Sequence, residues 1–129
     1  MKTIYEEVFD DKDEAVITRL VDLGMHNHMA MSLLYLSQID ECCSCDLERG
    51  LNLRQPLVSV AMKGLREKGW VEKKEVKKDS GKGRPVHVYK LSMPFTDIVD
   101  SLIQEKLFQI EDQKNNIDEL RTAIMDLAP

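Results

Sequence analysis

The stretch "LRQPLVSVAMKGLREKGW", Leu53 to Trp70, limits what this chain can fold into more than any other. By propensity it is a poor helix. Val58 and Val60 are β-branched, Ser59 competes for backbone hydrogen bonds, and Gly64 loosens the middle. The helix signals are nonetheless in place. Pro56 suits a first turn, where its missing N–H costs nothing, and Gly69 follows a charged end. Val58, Ala61, Met62 and Leu65 recur at i, i+3, i+4, i+7 and make one apolar face. A helix over Pro56 to Lys68 must therefore be held by tertiary contacts. After Gly69 the period changes. "WVEKKEV" (Trp70 to Val76) and "VHVYKL" (Val86 to Leu91) read as strands on their β-branched content, joined by the Gly-rich basic loop "KKDSGKGRP".

The residues before this stretch supply the partners. Phe9 to Gly24 reads as a helix, with Asp11 and Glu14 as a D-x-x-E start and Gly24 as a stop. Its apolar stripe is Val16, Leu20 and Leu23, with Ile17 and Val21 beside it. A second helix is expected from Asn27 to Ser37, burying Met29, Ala30, Leu33, Leu34 and Leu36. A short third one runs from Ser44 to Gly50, with Ser44 as N-cap and Leu47 buried. Helix, short helix, tight turn, helix is the helix-turn-helix layout, and the following hairpin makes a wing.

Net charge is -5, which at first argues against a polyanionic partner. Its distribution argues the opposite. Residues 1–53 hold 4 basic and 11 acidic side chains, residues 54–90 hold 11 and 4, and residues 91–129 hold 3 and 8. A basic middle between acidic flanks is a local electrostatic footprint. It falls on the two elements a winged helix offers to DNA. The outer side of the 56–68 helix carries Gln55, Pro56, Ser59, Val60 and Lys63, with Arg54 just before it. An amide, a hydroxyl and small apolar groups suit base edges in a major groove better than they suit a solvated face. Lys73, Lys74, Lys77, Lys78, Lys82 and Arg84 lie on the strands or the loop, where they would reach phosphates; Arg84 near the tip would suit a minor groove.

From Met93 to about Leu127 the sequence reads as one long helix. In heptads, Thr96, Ile103, Ile110, Ile117 and Ile124 are a positions, and Val99, Lys106, Gln113, Leu120 and Leu127 are d positions. Ile at a with Leu at d is a two-stranded preference in parallel coiled coils, and Lys106 and Gln113 interrupt the d row. The dimerisation residues expected are Val99, Ile103, Ile110, Ile117, Leu120, Ile124 and Leu127. The expected class is α+β, mostly α: a winged helix-turn-helix with an N-terminal helix (residues 1–92) and a C-terminal coiled-coil-like dimerisation helix (residues 93–129).

"CDLERGLNLRQPLVSVAMKGLREKGWVEKKE" and then "SGKGRPVHVYKLS" resemble winged helix-turn-helix transcriptional regulators of the MarR, ArsR and TrmB-like groups. The resemblance spans about Asn27 to Ser92 and is greatest to archaeal members, where "RQP.VS.AM..L...GW" is a familiar phrase. It implies a homodimeric, sequence-specific regulator that binds double-stranded DNA. It also implies recognition-helix roles for Arg54, Gln55, Pro56, Ser59, Val60 and Lys63, and wing roles for Lys82 and Arg84. Val16 to Leu23 matches an N-terminal helix that joins the dimer interface in such proteins.

Cys42, Cys43 and Cys45 in "ECCSC", with His26 and His28 nearby, are the low-ranking candidates for a thiol-based metal or redox sensor. CC-x-C is not the C-x₂-C spacing of structural zinc sites, although C-x-C-D-L is shared with part of a phrase of metal-sensing ArsR proteins. No metal and no cofactor are expected. A winged helix that binds protein and not DNA is the other alternative. No paired acid and base, phosphate-cradling loop or activated nucleophile points to an enzyme. No apolar run nears the ~20 residues of a membrane span, and Met1 to Phe9 shows no secretory pattern, so a cytoplasmic location is the default and no membrane partner is expected.

Overall fold

A computed structural model of the chain describes residues 9–76 and 86–127. Five helices and a three-stranded sheet are found among them. They are α1 (Asp11–Asp22), α2 (Asn27–Gln38), β1 (Glu41–Cys43), α3 (Ser44–Leu51), α4 (Gln55–Glu67), β2 (Val71–Val76), β3 (Val86–Leu91) and α5 (Phe95–Leu127). The chain divides into two units, residues 1–95 and 96–129.

In the first unit, α1, α2, α3 and α4 gather around one core. α2 lies against α1, α3 and α4, and α3 lies against α4. The face expected of α4 is the one it buries: Val58, Ala61, Met62 and Leu65. They meet a layer that includes Ala30, Leu33, Leu36 and Leu47, all nearly inaccessible. Poor propensity is thus overridden by burial, each large apolar side chain contributing about 1.5–3 kcal/mol. The glycines of the core mark close approaches. A Cβ on Gly64 would lie 3.1 Å from the Met29 Sδ, and one on Gly50 would lie 2.6 Å from the Tyr35 ring. Gly64 has no positive φ, and the Met29 thioether is flexible. Gly64→Ala is therefore expected to raise stability by up to about 1 kcal/mol, read as a shift of the denaturant midpoint.

The helix ends show where local chemistry differs from the sequence reading. α1 starts one residue earlier than the D-x-x-E signal. Its N-cap is Asp10, which accepts from the Asp13 N–H at 2.8 Å, while Asp13 accepts from the Asp10 N–H at 3.1 Å. Asp13 also accepts from the Gln38 amide of α2, 2.9 Å away. Its buried residues are Ile17 and Leu20; Val16, Val21 and Leu23 stay partly exposed. The N-cap of α3 is Cys43 and not Ser44. The Cys43 Sγ accepts from the Asp46 N–H at 3.4 Å. Asn52 ends α3 in the left-handed region at φ 54°, which Asn tolerates. In α2, Ser32 is fully buried and Met29 is not. The Ser32 hydroxyl stays satisfied by donating to the His28 carbonyl at 2.7 Å.

The sheet holds one strand that sequence reasoning did not supply. β1 joins β3 antiparallel, pairing Glu41 with Lys90, Cys42 with Tyr89 and Cys43 with Val88. β3 also pairs antiparallel with β2, from Val71 opposite Leu91 to Val76 opposite Val86. The order is β1-β3-β2. The sheet buries Cys42, Val71 and Tyr89. Trp70 is also buried, and the Lys68 ammonium sits 5.6 Å from its ring centroid.

α5 begins at Phe95 and not Met93. Pro94 keeps Met93 out of helical geometry, because the residue before a proline is pushed to extended backbone. Within α5, Ile98 and Leu102 are buried. None of the helices among the described residues is long and apolar enough to cross a membrane.

Candidate nucleic-acid interface

α4 turns its second face outward. Gln55, Pro56, Ser59, Val60 and Lys63 are exposed, as is Arg54, the N-cap. Val60 is 70% exposed, although nothing in a solvated face calls for a β-branched apolar group there. Arg54 makes no side-chain cap bond, because a guanidinium has no acceptor to offer the helix N–H groups. The N-terminus of α4 has no side-chain cap; Pro56 has no N–H to satisfy, and the Leu57 and Val58 N–H groups donate to the Arg54 carbonyl at 3.0 and 3.2 Å.

Between α4 and the β2–β3 pair runs a groove of about 450 Å³. Ser59, Lys63 and Arg66 line it from α4, and Lys73, His87 and Tyr89 line it from the strands. Gln55 of α4 and Ser44 of α3 line it as well. Four of the residues singled out in the sequence thus come together here: Gln55, Ser59, Lys63 and Lys73. Gln55, Ser59, Lys63 and Arg66 are spaced so that one helix face carries all four.

The charge of the groove is mostly positive and mostly unspent. Among the described residues, no ion pair engages Arg54, Lys63, Arg66 or Lys73. The neighbouring pairs are Lys74 with Glu41 at 3.2 Å, His87 with Glu75 at 3.3 Å and Lys90 with Glu72 at 4.0 Å. All are solvent-exposed, where such pairs contribute little. Among the described residues, Glu67 is the one carboxylate lining the groove. Burial pushes the Tyr89 hydroxyl above its ordinary range, with the Arg66 charge opposing that rise.

Arg66, Ser44 and His87 were absent from the sequence-based set. Arg66 was within reach, since it continues the Gln55, Ser59, Lys63 face by helical spacing. Ser44 and His87 were not, because they join the groove only through β1 and the strand register. Lys77, Lys78, Lys82 and Arg84 lie outside the described residues.

The thiols and imidazoles do not assemble. Cys42 is buried in β1, Cys43 caps α3, and Cys45 is exposed on the first turn of α3. His26 caps α2, its Nδ1 accepting from the His28 N–H at 3.2 Å. Among the described residues, no three His, Cys, Asp or Glu side chains are placed to hold a metal ion. Burial pushes the Cys42 thiol up to about 12, with the Asp46 charge and then Cys43 adding to it. Burial is also the main cause that raises Cys43. In a native alkylation time course near pH 8, followed by mass spectrometry, Cys45 is expected to react first and Cys42 last. Faster modification of Cys42 than of Cys45 would contradict this placement.

The same shift carries a pH dependence. A thiol that holds its proton more tightly when folded releases it on unfolding. Its contribution is complete below the ordinary thiol pKa of 9.0 and is lost as pH rises from there toward about 12. Tyr35 and Tyr89 are raised as well and act in the same direction. Denaturant midpoints are expected to fall steadily above pH 9, and less steeply in Cys42→Ala measured against its own neutral-pH value.

No protein-family model matches this sequence, and no curated protein matches it. Solved structures do match its fold. A protein of Methanosarcina mazei Go1 described as "Possible transcriptional regulator" superposes with a TM-score of 0.55 at 20% identity, over 84% of this chain and 86% of that one. A MarR-family transcriptional regulator of Silicibacter pomeroyi gives 0.52 at 18% identity, over 91% and 83%. A MarR variant from E. coli in complex with operator DNA gives 0.51 at 16% identity, over 92% and 86%. With its helix-turn-helix, its small antiparallel sheet and its long last helix, the chain has the winged-helix fold of MarR-family transcriptional regulators.

Proposed function

We propose that this chain is a sequence-specific, DNA-binding transcriptional regulator that acts as a homodimer. The observation that carries it is the exposed face of α4, where Gln55, Ser59, Val60 and Lys63 stand beside the cationic groove. A major groove admits a helix, and an amide, a hydroxyl and a small apolar group match adenine edges and the thymine methyl. Arg54, Lys63, Arg66 and Lys73 reach backbone phosphates, and Pro56 adds apolar surface at the start of the helix. The proposal extends, on sequence alone, to Lys78, Lys82 and Arg84 as wing contacts. The mechanism is non-covalent, and the acidic flanks keep the rest of the molecule off the duplex.

The apolar stripe of α5 supports the dimer. Ile103, Ile110, Ile117, Leu120, Ile124 and Leu127 are all at least 38% exposed, a poor arrangement for an isolated helix. Val99 continues the stripe, half-buried, and Val16, Val21 and Leu23 leave a second apolar edge on α1.

The test is selection from a random-sequence DNA pool at two salt concentrations. A palindromic motif is expected, with affinity falling steeply as salt rises and affinity lost in Ser59→Glu and Arg84→Ala. No enrichment at either salt overturns the reading.

A further inference from the structure

We propose that α5 pairs with α5 of a second copy in antiparallel orientation, with Asp100 of each copy beside Arg121 of the other. This rests on the homodimer reading above and names the orientation that reading leaves open.

The two ways of pairing place different side chains together. With the helices parallel and in register, every heptad position meets its own copy. The d row then stacks Lys106 on Lys106 and Gln113 on Gln113 in the middle of the seam. Two ammonium groups in one core layer repel and lose hydration. The flanks offer nothing in return. The g positions are Leu102, Gln109, Asn116 and Ala123, all uncharged, so the charged e positions Asp100, Lys114 and Arg121 find no partner of opposite sign.

Reversing one helix changes each of these contacts. In an antiparallel pair, a layers meet d layers and e positions meet e positions. Full overlap of the two helices aligns Ile103 with Leu120 of the second copy, and Val99 with Ile124. Lys106 then faces Ile117, not another lysine, and its stem can cover that apolar surface while the ammonium reaches water. Gln113 faces Ile110. Along the e flank, Asp100 meets Arg121 and Leu107 meets the stem of Lys114. Two-fold symmetry repeats each contact. The ends of the helix thus carry opposite e charges, acidic near Phe95 and basic near Leu127, and this polarity is self-complementary only head to tail.

The accessible surface agrees with that assignment. Asp100 and Arg121 are exposed, as are Leu107 and Lys114 on the same flank. Leu107 is 54% exposed, which a solitary helix gives no reason for. Glu105, Glu111, Asp112, Asp118 and Glu119 occupy the b and c positions, away from the seam in either orientation. They add solubility without choosing a direction.

The experiment places a nitroxide, carried on a non-natural amino acid so that the native thiols are untouched, at one position of the full-length chain. Distances within the dimer are then measured by pulsed electron resonance. A label at the exposed Met125 is expected about 40 Å from its copy, by 1.5 Å of rise per residue. A label at Asp112, near the helix midpoint, is expected within about 20 Å in either orientation, since two helix diameters set that span. A short distance at Met125 together with a short one at Asp112 overturns the antiparallel proposal and leaves the homodimer standing. No short distance at Asp112 overturns pairing through α5 altogether, and with it both readings of this helix.

Charge exchange gives an independent readout. Asp100→Arg and Arg121→Asp each weaken self-association in the antiparallel pair. Mixing the two variants restores both ion pairs at once, because each chain then carries one sign at both positions. Native mass spectrometry is expected to show heterodimers above the statistical half. A statistical 1:2:1 mixture overturns the assigned pair, since residues 100 and 121 are about 30 Å apart in a parallel arrangement.

Discussion

Leu65→Ala lowers the free energy of unfolding by about 2–5 kcal/mol, enough to consume much of the stability of a domain this size. Leu65 is completely inaccessible and sits on the buried face of α4 with Val58, Ala61 and Met62. Removing its branched end leaves a cavity between α4 and the helices it packs on. α4 then loses more than volume, because its own propensity is low and packing is what keeps it helical. Chemical denaturation followed by circular dichroism checks this, and the slope of the transition reports whether the remaining fold stays cooperative. An exposed substitution on the same helix, Val60→Ala, is expected to change stability by less than about 0.5 kcal/mol. A loss at Val60 equal to that at Leu65 would mean the two faces of α4 have been wrongly assigned.

The second large effect concerns binding. Lys63→Glu combined with Arg66→Glu is expected to weaken DNA binding at least about 100-fold near 0.1 M salt, while leaving the denaturant midpoint nearly unchanged. Each cation lost at a phosphate costs affinity on all sequences, and each carboxylate gained adds repulsion. The slope of log affinity against log salt should flatten by about 1 for each phosphate contact removed. Ser59→Ala differs in kind, since it adds no charge, acts at a base edge and lowers discrimination between sites. Fluorescence anisotropy on the selected motif and on a scrambled duplex separates the two effects. Equal binding by the double variant and the wild type would remove the groove from the interface.

Sequence patterning made most of the fold legible, and the reasons are local. Helical periodicity marks α4 because four buried positions recur with the same spacing. It marks α5 because Ile recurs every seventh residue from Ile103 to Ile124. β1 escaped notice because three residues cannot show a period. Its identity comes from pairing with β3, a contact more than forty residues away in sequence. Caps shifted by one residue for a similar reason: Asp10, Asp11 and Asp13 all suit a helix start, and Cys43 is an unusual cap that Ser44 disguises. The groove was half legible. Gln55, Ser59 and Lys63 share one helix face, while His87 and Ser44 arrive from other elements.

The short strand β1 changes what the β2–β3 pair can do. A two-stranded ribbon by itself is marginal in water and samples many tilts. Here the middle strand is β3, and β1 anchors it to the chain immediately ahead of α3, with Lys74 and Glu41 spanning the outer edges of the sheet. The ribbon base is therefore fixed in direction relative to α4 before any partner arrives. Little orientational entropy of that base then remains to be lost on contact with a partner. Severing that anchor, as Cys42→Pro would by fixing φ in the middle of a three-residue strand, should slow association.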